Sequence, residues 1–245
     1  MPTPPRLLPA GDSAVVVEYG EEIDARVNAK VRLLQHALEA GPRRGIVEVV
    51  PTYRSLMVHY DPMALSRESL EALISTTAVQ LPEEVREPVR TVEVPVLYGG
   101  DAGPDLADVA AFAGLDIQAV VDLHAAGDYV VFMLGFMPGF PYLGGLPASI
   151  ATPRLATPRT RVPAGSVGIA GAQTGVYPTE SPGGWRLIGR TPVRLFDPRR
   201  SPPALLEPGD HVRFVPVAHP DYDAIACQVA ADAYHPAVRA WGDGS

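Results

Sequence analysis

Residues 157–192 read TPRTRVPAGSVGIAGAQTGVYPTESPGGWRLIGRTP. Two short apolar runs, at 166–170 and 185–188, stand between glycines and prolines that do not sustain a helix. Runs of that length suit strands rather than helices. The same texture begins near Tyr129, with further runs at 130–134, 193–196 and 212–215, and most of the 27 prolines and 23 glycines lie in this part. Many short strands between Gly/Pro turns require a closed or sandwiched β structure, because each strand must bury one face against another.

Upstream of this region the pattern changes. Residues 13–19 (SAVVVEY) form a strand candidate rich in β-branched side chains, followed by a helix over 22–39 with Ile23, Val27, Val31, Leu34 and Leu38 at helical steps. Gly41 and Pro42 stop it. Strands at 46–50 and 55–60 flank a turn at 51–54, a second helix starts at a Ser66 cap and turns Leu70, Leu73 and Ile74 inward, and 91–97 is again extended. The order βαββαβ is the split βαβ pattern of ferredoxin-like domains. The pattern leaves open whether its last strand closes this domain or opens the next. Residues 82–88 (PEEVREP), charged and bracketed by prolines, read as a linker. The resulting division is a small α/β domain over 1–84, a β domain over 88–230 and a tail over 231–245. Helices are expected at 105–113, 117–125 and 221–233.

Composition narrows the function. At 245 residues and 47% apolar, the chain buries a core without staples, and its single cysteine, Cys227, excludes an internal disulfide. That cysteine usage fits a cytoplasmic location. The net charge of −8 argues against nucleic acid and anionic membranes as partners. No apolar run approaches the about 20 residues that span a bilayer, and the first residues lack the apolar core of a signal peptide. Lys30, on a helix face, is the only lysine among 20 basic residues, which leaves no amine for a P-loop, a Schiff base or a biotinyl carrier. The six histidines are scattered without metal-ligand spacing, so no metal site is expected. No nucleophile elbow occurs.

The chemistry-bearing residues concentrate between Leu134 and Trp185. Residues 135–147 interleave Phe136, Phe140 and Tyr142 with glycines and prolines, which suits a stiff, aromatic pocket wall and equally a barrel-closing loop. Arg154, Arg159 and Arg161 stand close together. On an extended segment Arg159 and Arg161 share one side, a fork for a carboxylate or phosphate, although solvated surface arginines look the same in sequence. Gln173 and Thr174 can hold an amide or carboxylate, Glu180 can act as acid or base, and Tyr177, Trp185 and the Gly183-Gly184 turn complete the candidate set.

These blocks carry a resemblance. Gly11-Asp12-Ser13-Ala14, residues 51–62 (PTYRSLMVHYDP), 134–147, 157–175 and 180–192 resemble, in order, the family of 5-oxoprolinase B subunits. That family is also labelled allophanate hydrolase subunit 1 and includes an inhibitor of a sporulation histidine kinase. The same block forms part of the carboxyltransferase domain of urea carboxylase. The likeness runs over about residues 8–217.

It implies an α+β fold, a ferredoxin-like N-terminal domain followed by a cyclophilin-like β-barrel. It also implies a complex in which this chain shares a pocket with a related barrel protein, the C subunit, and works with a third protein, the A subunit. Together these would convert 5-oxoproline, a small lactam, to L-glutamate with ATP as co-substrate. The residues matching the family blocks imply catalytic roles for Glu180, Arg159 and Arg161. They imply substrate contacts for Phe136, Phe140, Tyr142, Gln173, Thr174, Tyr177, Gly183, Gly184 and Trp185. Two other readings stay open: a module that regulates a histidine kinase, and a detached part of a biotin-dependent urea or allophanate-type carboxyltransferase.

Overall fold

A computed structural model describes residues 5–22, 24–41, 44–82 and 90–240. They divide between two units, Met1–Glu87 and Pro88–Ser245. The expectations for Ile23, for Pro42, for nearly all of the 82–88 linker and for the end of the tail lie outside the described residues.

The first unit contains β1 (Arg6–Pro9), β2 (Ala14–Glu18), α1 (Ala25–Ala40), β3 (Ile46–Pro51), β4 (Ser55–Tyr60) and α2 (Arg67–Gln80). Helix α1 begins later than residue 22 because the Asp24 carboxylate accepts from the Arg26 and Val27 N–H groups, at 2.8 and 3.2 Å, and so caps it there. Its buried stripe carries Val31, Leu34 and Leu38. Ser66 caps α2 as expected, accepting from the Ser69 N–H at 3.2 Å. Leu70 and Ile74 are fully buried, but Leu73 is 41% exposed. The inward stripe of α2 runs through 70, 74 and 78, and a residue one position before 74 turns to its flank.

The sheet has the order β1-β2-β4-β3, with every pair antiparallel. β2, α1 and β3 form a split βαβ with β4 inserted between the strands. The ferredoxin-like expectation needs correction at its fourth strand. The place beside β2 belongs to β1, paired from Arg6↔Glu18 to Pro9↔Val15, and not to the strand that follows α2. That strand is β5 (Arg90–Tyr98) and it belongs to the second unit. The physical reason lies in burial. β5 hides Val92, Val94 and Val96 completely, whereas the four residues of β1 are largely exposed, as an edge strand tolerates.

The second unit continues with α3 (Leu106–Ala113), α4 (Ile117–Ala126), β6 (Tyr129–Leu134), β7 (Pro141–Gly144), β8 (Arg159–Val162), β9 (Ser166–Ala170) and β10 (Gln173–Val176). It ends with β11 (Ser181–Gly183), β12 (Arg186–Arg190), β13 (His211–Pro216), α5 (His219–Ala230) and β14 (Val238–Ala240). Seven strands run β12-β9-β10-β7-β6-β13-β5 and close on themselves through Gly189↔Tyr98 and Arg190↔Leu97. β5 and β13 are parallel, and the other barrel pairs are antiparallel. β14 occupies the opposite end of the β5 edge that β12 uses. The expected closed β-barrel is therefore present, with Val94, Val131, Leu143, Ile169, Ile188 and Phe214 in its core. α3 and α4 add Leu106, Val109, Val120 and Val121 to that core.

Two expectations for this unit change. Residues 193–196 are not a barrel strand: Leu205 N–H donates to Leu195 O and Asp197 N–H to Pro203 O, so this segment pairs with its own return arm. The last helix spans His219–Ala230 rather than 221–233, with Pro220 in its first turn and Asp232 in the left-handed region at φ 53° just beyond it. Among the described residues no helix is long and apolar enough to cross a membrane.

Candidate functional site

Alternation along β9 and β10 sends Val167, Ile169, Thr174 and Val176 into the barrel and leaves Gly168, Ala170, Gln173, Gly175 and Tyr177 on its outer face. On that face a second apolar cluster forms from Phe140, Val162, Ala170, Tyr177, Trp185 and Leu187, with Met137 and Tyr142 packed against it. Gly175 makes it possible: a Cβ there would stand 3.0 Å from Trp185 Cζ3 and 3.2 Å from Phe140 Cζ. The ring of Phe140 is central, with centroids 5.6, 4.9, 5.3 and 5.4 Å from Phe136, Tyr142, Tyr177 and Trp185. These are the tilted and edge-to-face arrangements that ring quadrupoles favour. The antiparallel ribbon β8–β11 packs over the cluster through Val162 and Gly183. A Cβ on Gly183 would lie 2.3 Å from Tyr177 Oη, so that turn must be glycine for the ribbon to sit down.

The loop between β6 and β7 brings an aromatic to the rim. Phe136 has φ 62° and is 64% exposed. It is held by a tight turn in which Met137 N–H donates to Gly135 O and Phe140 N–H to Met137 O. A bulky residue in the left-handed region costs about 1–3 kcal/mol and persists only where its surroundings impose it. Burial raises the Tyr177 hydroxyl above the ordinary tyrosine value, opposed by the Trp185 backbone and by the charges of Arg154 and Arg159. Burial raises Tyr142 in the same direction, opposed by Arg154. Both phenols stay protonated donors at neutral pH.

The arginines are arranged differently from the expected fork. Arg159 Nη2 is 2.6 Å from the Asp105 carboxylate at the start of α3, whose other oxygen accepts from Leu187 N–H at 2.6 Å. Arg161 Nε lies 2.7 Å from Glu180, both well exposed. The two guanidinium groups thus engage different carboxylates, and no vacant two-arginine clamp is assembled. Arg186 pairs with Asp108 at 2.9 Å. Arg154 sits over the Trp185 ring at 6.0 Å. Gln173 Nε2 and Arg159 Nη1 are buried donors without an acceptor among the described residues.

The structure gathers Phe136, Phe140, Tyr142, Tyr177, Gly183 and Trp185 around one outer layer, and strand register puts Gln173 on the same face. Gly184 joins them through Leu155, whose N–H donates to Gly184 O. Thr174 is the exception. It is fully buried inside the barrel, and its hydroxyl donates to Gly168 O at 3.0 Å. It must therefore accept from His124 Nε2–H at 2.9 Å, which leaves Nδ1 to accept from the Tyr98 hydroxyl at 2.8 Å. His124 is stacked on Phe214 at 4.7 Å, and burial pushes its pKa down to about 3, so it is neutral. In sequence His124 reads as one of six scattered histidines. The available signal is its position on the inward stripe of α4 with Val120 and Val121.

A separate cleft of about 430 Å³ runs past Gly99, Pro104, Leu106, Ile117, Gln118 and Val121 near the start of α3. The titratable group on its wall, Tyr98, is already committed to His124. Among the described residues no group of three metal-binding side chains comes together.

The carboxyltransferase domain, subdomain C and D, matches residues 5–206. The B subunit of 5-oxoprolinase from Bacillus subtilis is 46% identical over 224 residues, 87% of this chain and 93% of that protein. The crystal structure of TTHA0988 is similar with a TM-score of 0.75 at 42% identity, over 84% of this chain and 40% of that one, so this chain spans well under half of it. The urea amidolyase of K. lactis gives a TM-score of 0.81 at 23% identity, over 96% of this chain and 16% of that one, a likeness of fold alone. With nearly its whole length matched in sequence and its barrel matched in shape, the chain belongs to the carboxyltransferase subdomain C and D family and, within it, to the family of 5-oxoprolinase B subunits.

Proposed function

We propose that this chain is the B subunit of a cytoplasmic, ATP-dependent 5-oxoprolinase, and that its outer aromatic layer is half of a pocket completed by the related barrel of the C subunit. The near-full-length identity to proteins named as 5-oxoprolinase B subunits supports this reading. In it, the domain over 88–230 supplies the half-site and residues 1–84 form a domain of their own. The rim supports the idea of a shared site: Phe136, held at the edge of the layer by a strained turn, presents an aromatic face that an isolated surface gains little from.

The chemistry follows from the substrate. A lactam carbonyl is a poor electrophile, and transfer of the ATP γ-phosphoryl group to its oxygen makes the carbon open to water. Water adds to that carbon and gives up a proton, and the ring C–N bond then breaks as its nitrogen takes a proton to become the amine. A second water releases phosphate from the acyl phosphate to leave glutamate. Backbone N–H groups at the Gly183-Gly184 turn would stabilise the charge on the phosphoryl oxygens. Glu180, at the free side of the β8–β11 ribbon, would serve as the base for the first water once released from Arg161. Nucleotide binding would fall to the A subunit or to the shared pocket, since the sequence contains no P-loop.

The test is release of glutamate and ADP from purified A, B and C subunits, singly and in every combination, with 5-oxoproline present or withheld. Turnover of ATP that rises with 5-oxoproline is expected from the mixture of all three and not from this chain alone. Full activity in the mixture lacking this chain would sink the assignment.

A further inference from the structure

Four arginines surround the outer aromatic layer, and three of them are matched by acids: Arg159 by Asp105, Arg161 by Glu180 and Arg186 by Asp108. Arg154 is the exception. Among the described residues it has no carboxylate partner and lies over the Trp185 ring at 6.0 Å. The charge balance of the layer is therefore one uncompensated positive charge, and it sits on the exposed side, where a ligand can reach it. Its reach extends across the layer, because it acts electrostatically on both Tyr142 and Tyr177.

The position of Arg154 is fixed from both sides. Leu155 N–H donates to Gly184 O at 2.7 Å, and Pro153 O accepts from Arg186 Nε at 3.4 Å. A backbone held in this way spares much of the entropy that a long side chain on a free loop loses on binding. A guanidinium above an indole face also keeps the donors at its edge available, in the planar fork that matches a carboxylate.

The layer carries unmet polar demand as well. Gln173 Nε2 is buried without an acceptor, on the outer face of β10 two residues from Gly175, on which Trp185 and Phe140 rest. A buried donor in that condition is costly unless a ligand oxygen completes it. A small molecule satisfying both features has a carboxylate at one end, an amide oxygen at the other and a compact apolar middle.

We propose that Arg154, seated on Trp185, anchors the carboxylate of the substrate, with the Gln173 carboxamide donating to its amide oxygen. This deepens the 5-oxoprolinase reading and rests on it. It moves the carboxylate from the expected Arg159–Arg161 pair to the arginine that no acid has claimed. Arg159 then becomes a positioning residue, tying the ribbon to Asp105.

The experiment compares wild type, Arg154→Ala and Arg154→Lys in the complex reconstituted from all three proteins, with KM measured separately for 5-oxoproline and for ATP. Loss of a charge-assisted hydrogen bond predicts a rise of about 10- to 100-fold in the 5-oxoproline KM for Arg154→Ala. The ATP KM should hold, and Arg154→Lys should fall between, since it keeps the charge and loses the fork. A 5-oxoproline KM unchanged in Arg154→Ala, or equal rises for both substrates, overturns the anchor while leaving the 5-oxoprolinase reading intact. A wild-type complex without 5-oxoproline-dependent turnover overturns the underlying reading first, and the anchor with it.

Discussion

Replacing Phe140 by alanine is expected to cost about 3–5 kcal/mol of stability, the range for deleting a buried aromatic ring. Phe140 is 1% exposed, and the rings of Phe136, Tyr142, Tyr177 and Trp185 all pack on it. Its removal opens a cavity between the barrel wall and the β8–β11 ribbon, and each lost ring contact adds to the transfer term. Phe140→Leu keeps most of the volume and should cost about 1–2 kcal/mol. Urea unfolding of the isolated chain reads both values. The chain has two units, so the loss belongs to the transition of the second, followed by tryptophan fluorescence, since both tryptophans of the sequence fall in that unit. An alanine variant within about 1 kcal/mol of wild type would mean that the layer does not depend on this ring.

The second large effect is acid sensitivity from His124. In the folded barrel its pKa is depressed to about 3 by burial, whereas an unfolded histidine titrates near 6.5. Below pH 6.5 the unfolded chain therefore binds a proton that the folded chain refuses. Stability from this group is fully present above pH 6.5 and declines as pH falls toward the folded value. The slope is about 1.4 kcal/mol per pH unit, so the chain should lose about 2 kcal/mol between pH 7 and pH 5. His124→Gln cannot titrate and should remove that slope, while lowering stability at pH 7 because Tyr98 and Thr174 are poorly matched to it. Denaturation of both proteins from pH 5 to 8 gives the comparison. Equal slopes would show that other groups govern the acid limb.

Much of the architecture is legible in the sequence because its signals are local. Ser66 starts a helix because it stands before an apolar stripe, and short runs between glycines and prolines make strands. The Asp24 cap, which sets the true start of α1, goes unread behind the apolar stripe that follows it. What escapes depends on distant partners. The four residues of β1 carry no alternation worth reading, and only β2 makes them a strand. β5 looks the same whether it closes one sheet or opens the other, and its destination is decided by β13.

The site shows the same division. Aromatics and glycines between Phe136 and Trp185 do come together, since stiff loops and small residues advertise close packing. Thr174 reads as a companion of its neighbour Gln173, yet adjacent strand residues face opposite ways, and that alternation sends it to His124 instead. The fork at Arg159 and Arg161 fails because the Asp105 carboxylate that holds Arg159 lies 54 residues away in sequence. Arg154 stands out only once every other arginine of the layer has been matched to its acid.

The parallel pairing of β5 with β13 has a consequence for how the chain is made. Arg90 at the head of β5 bonds Asp210 across 120 residues of chain. Every neighbour of β5 in the sheet, β12, β13 or β14, leaves the ribosome long after it. The first unit holds its whole sheet within residues 6–60 and is complete early. β5 instead waits as an apolar, unpaired strand, with Val92, Val94 and Val96 uncovered, until translation has passed β13. Closing long-range pairings last is slow and leaves sticky edges open in the meantime. The barrel is thus a structure of late synthesis, and nascent chains arrested before β13 carry the segment most in need of a chaperone.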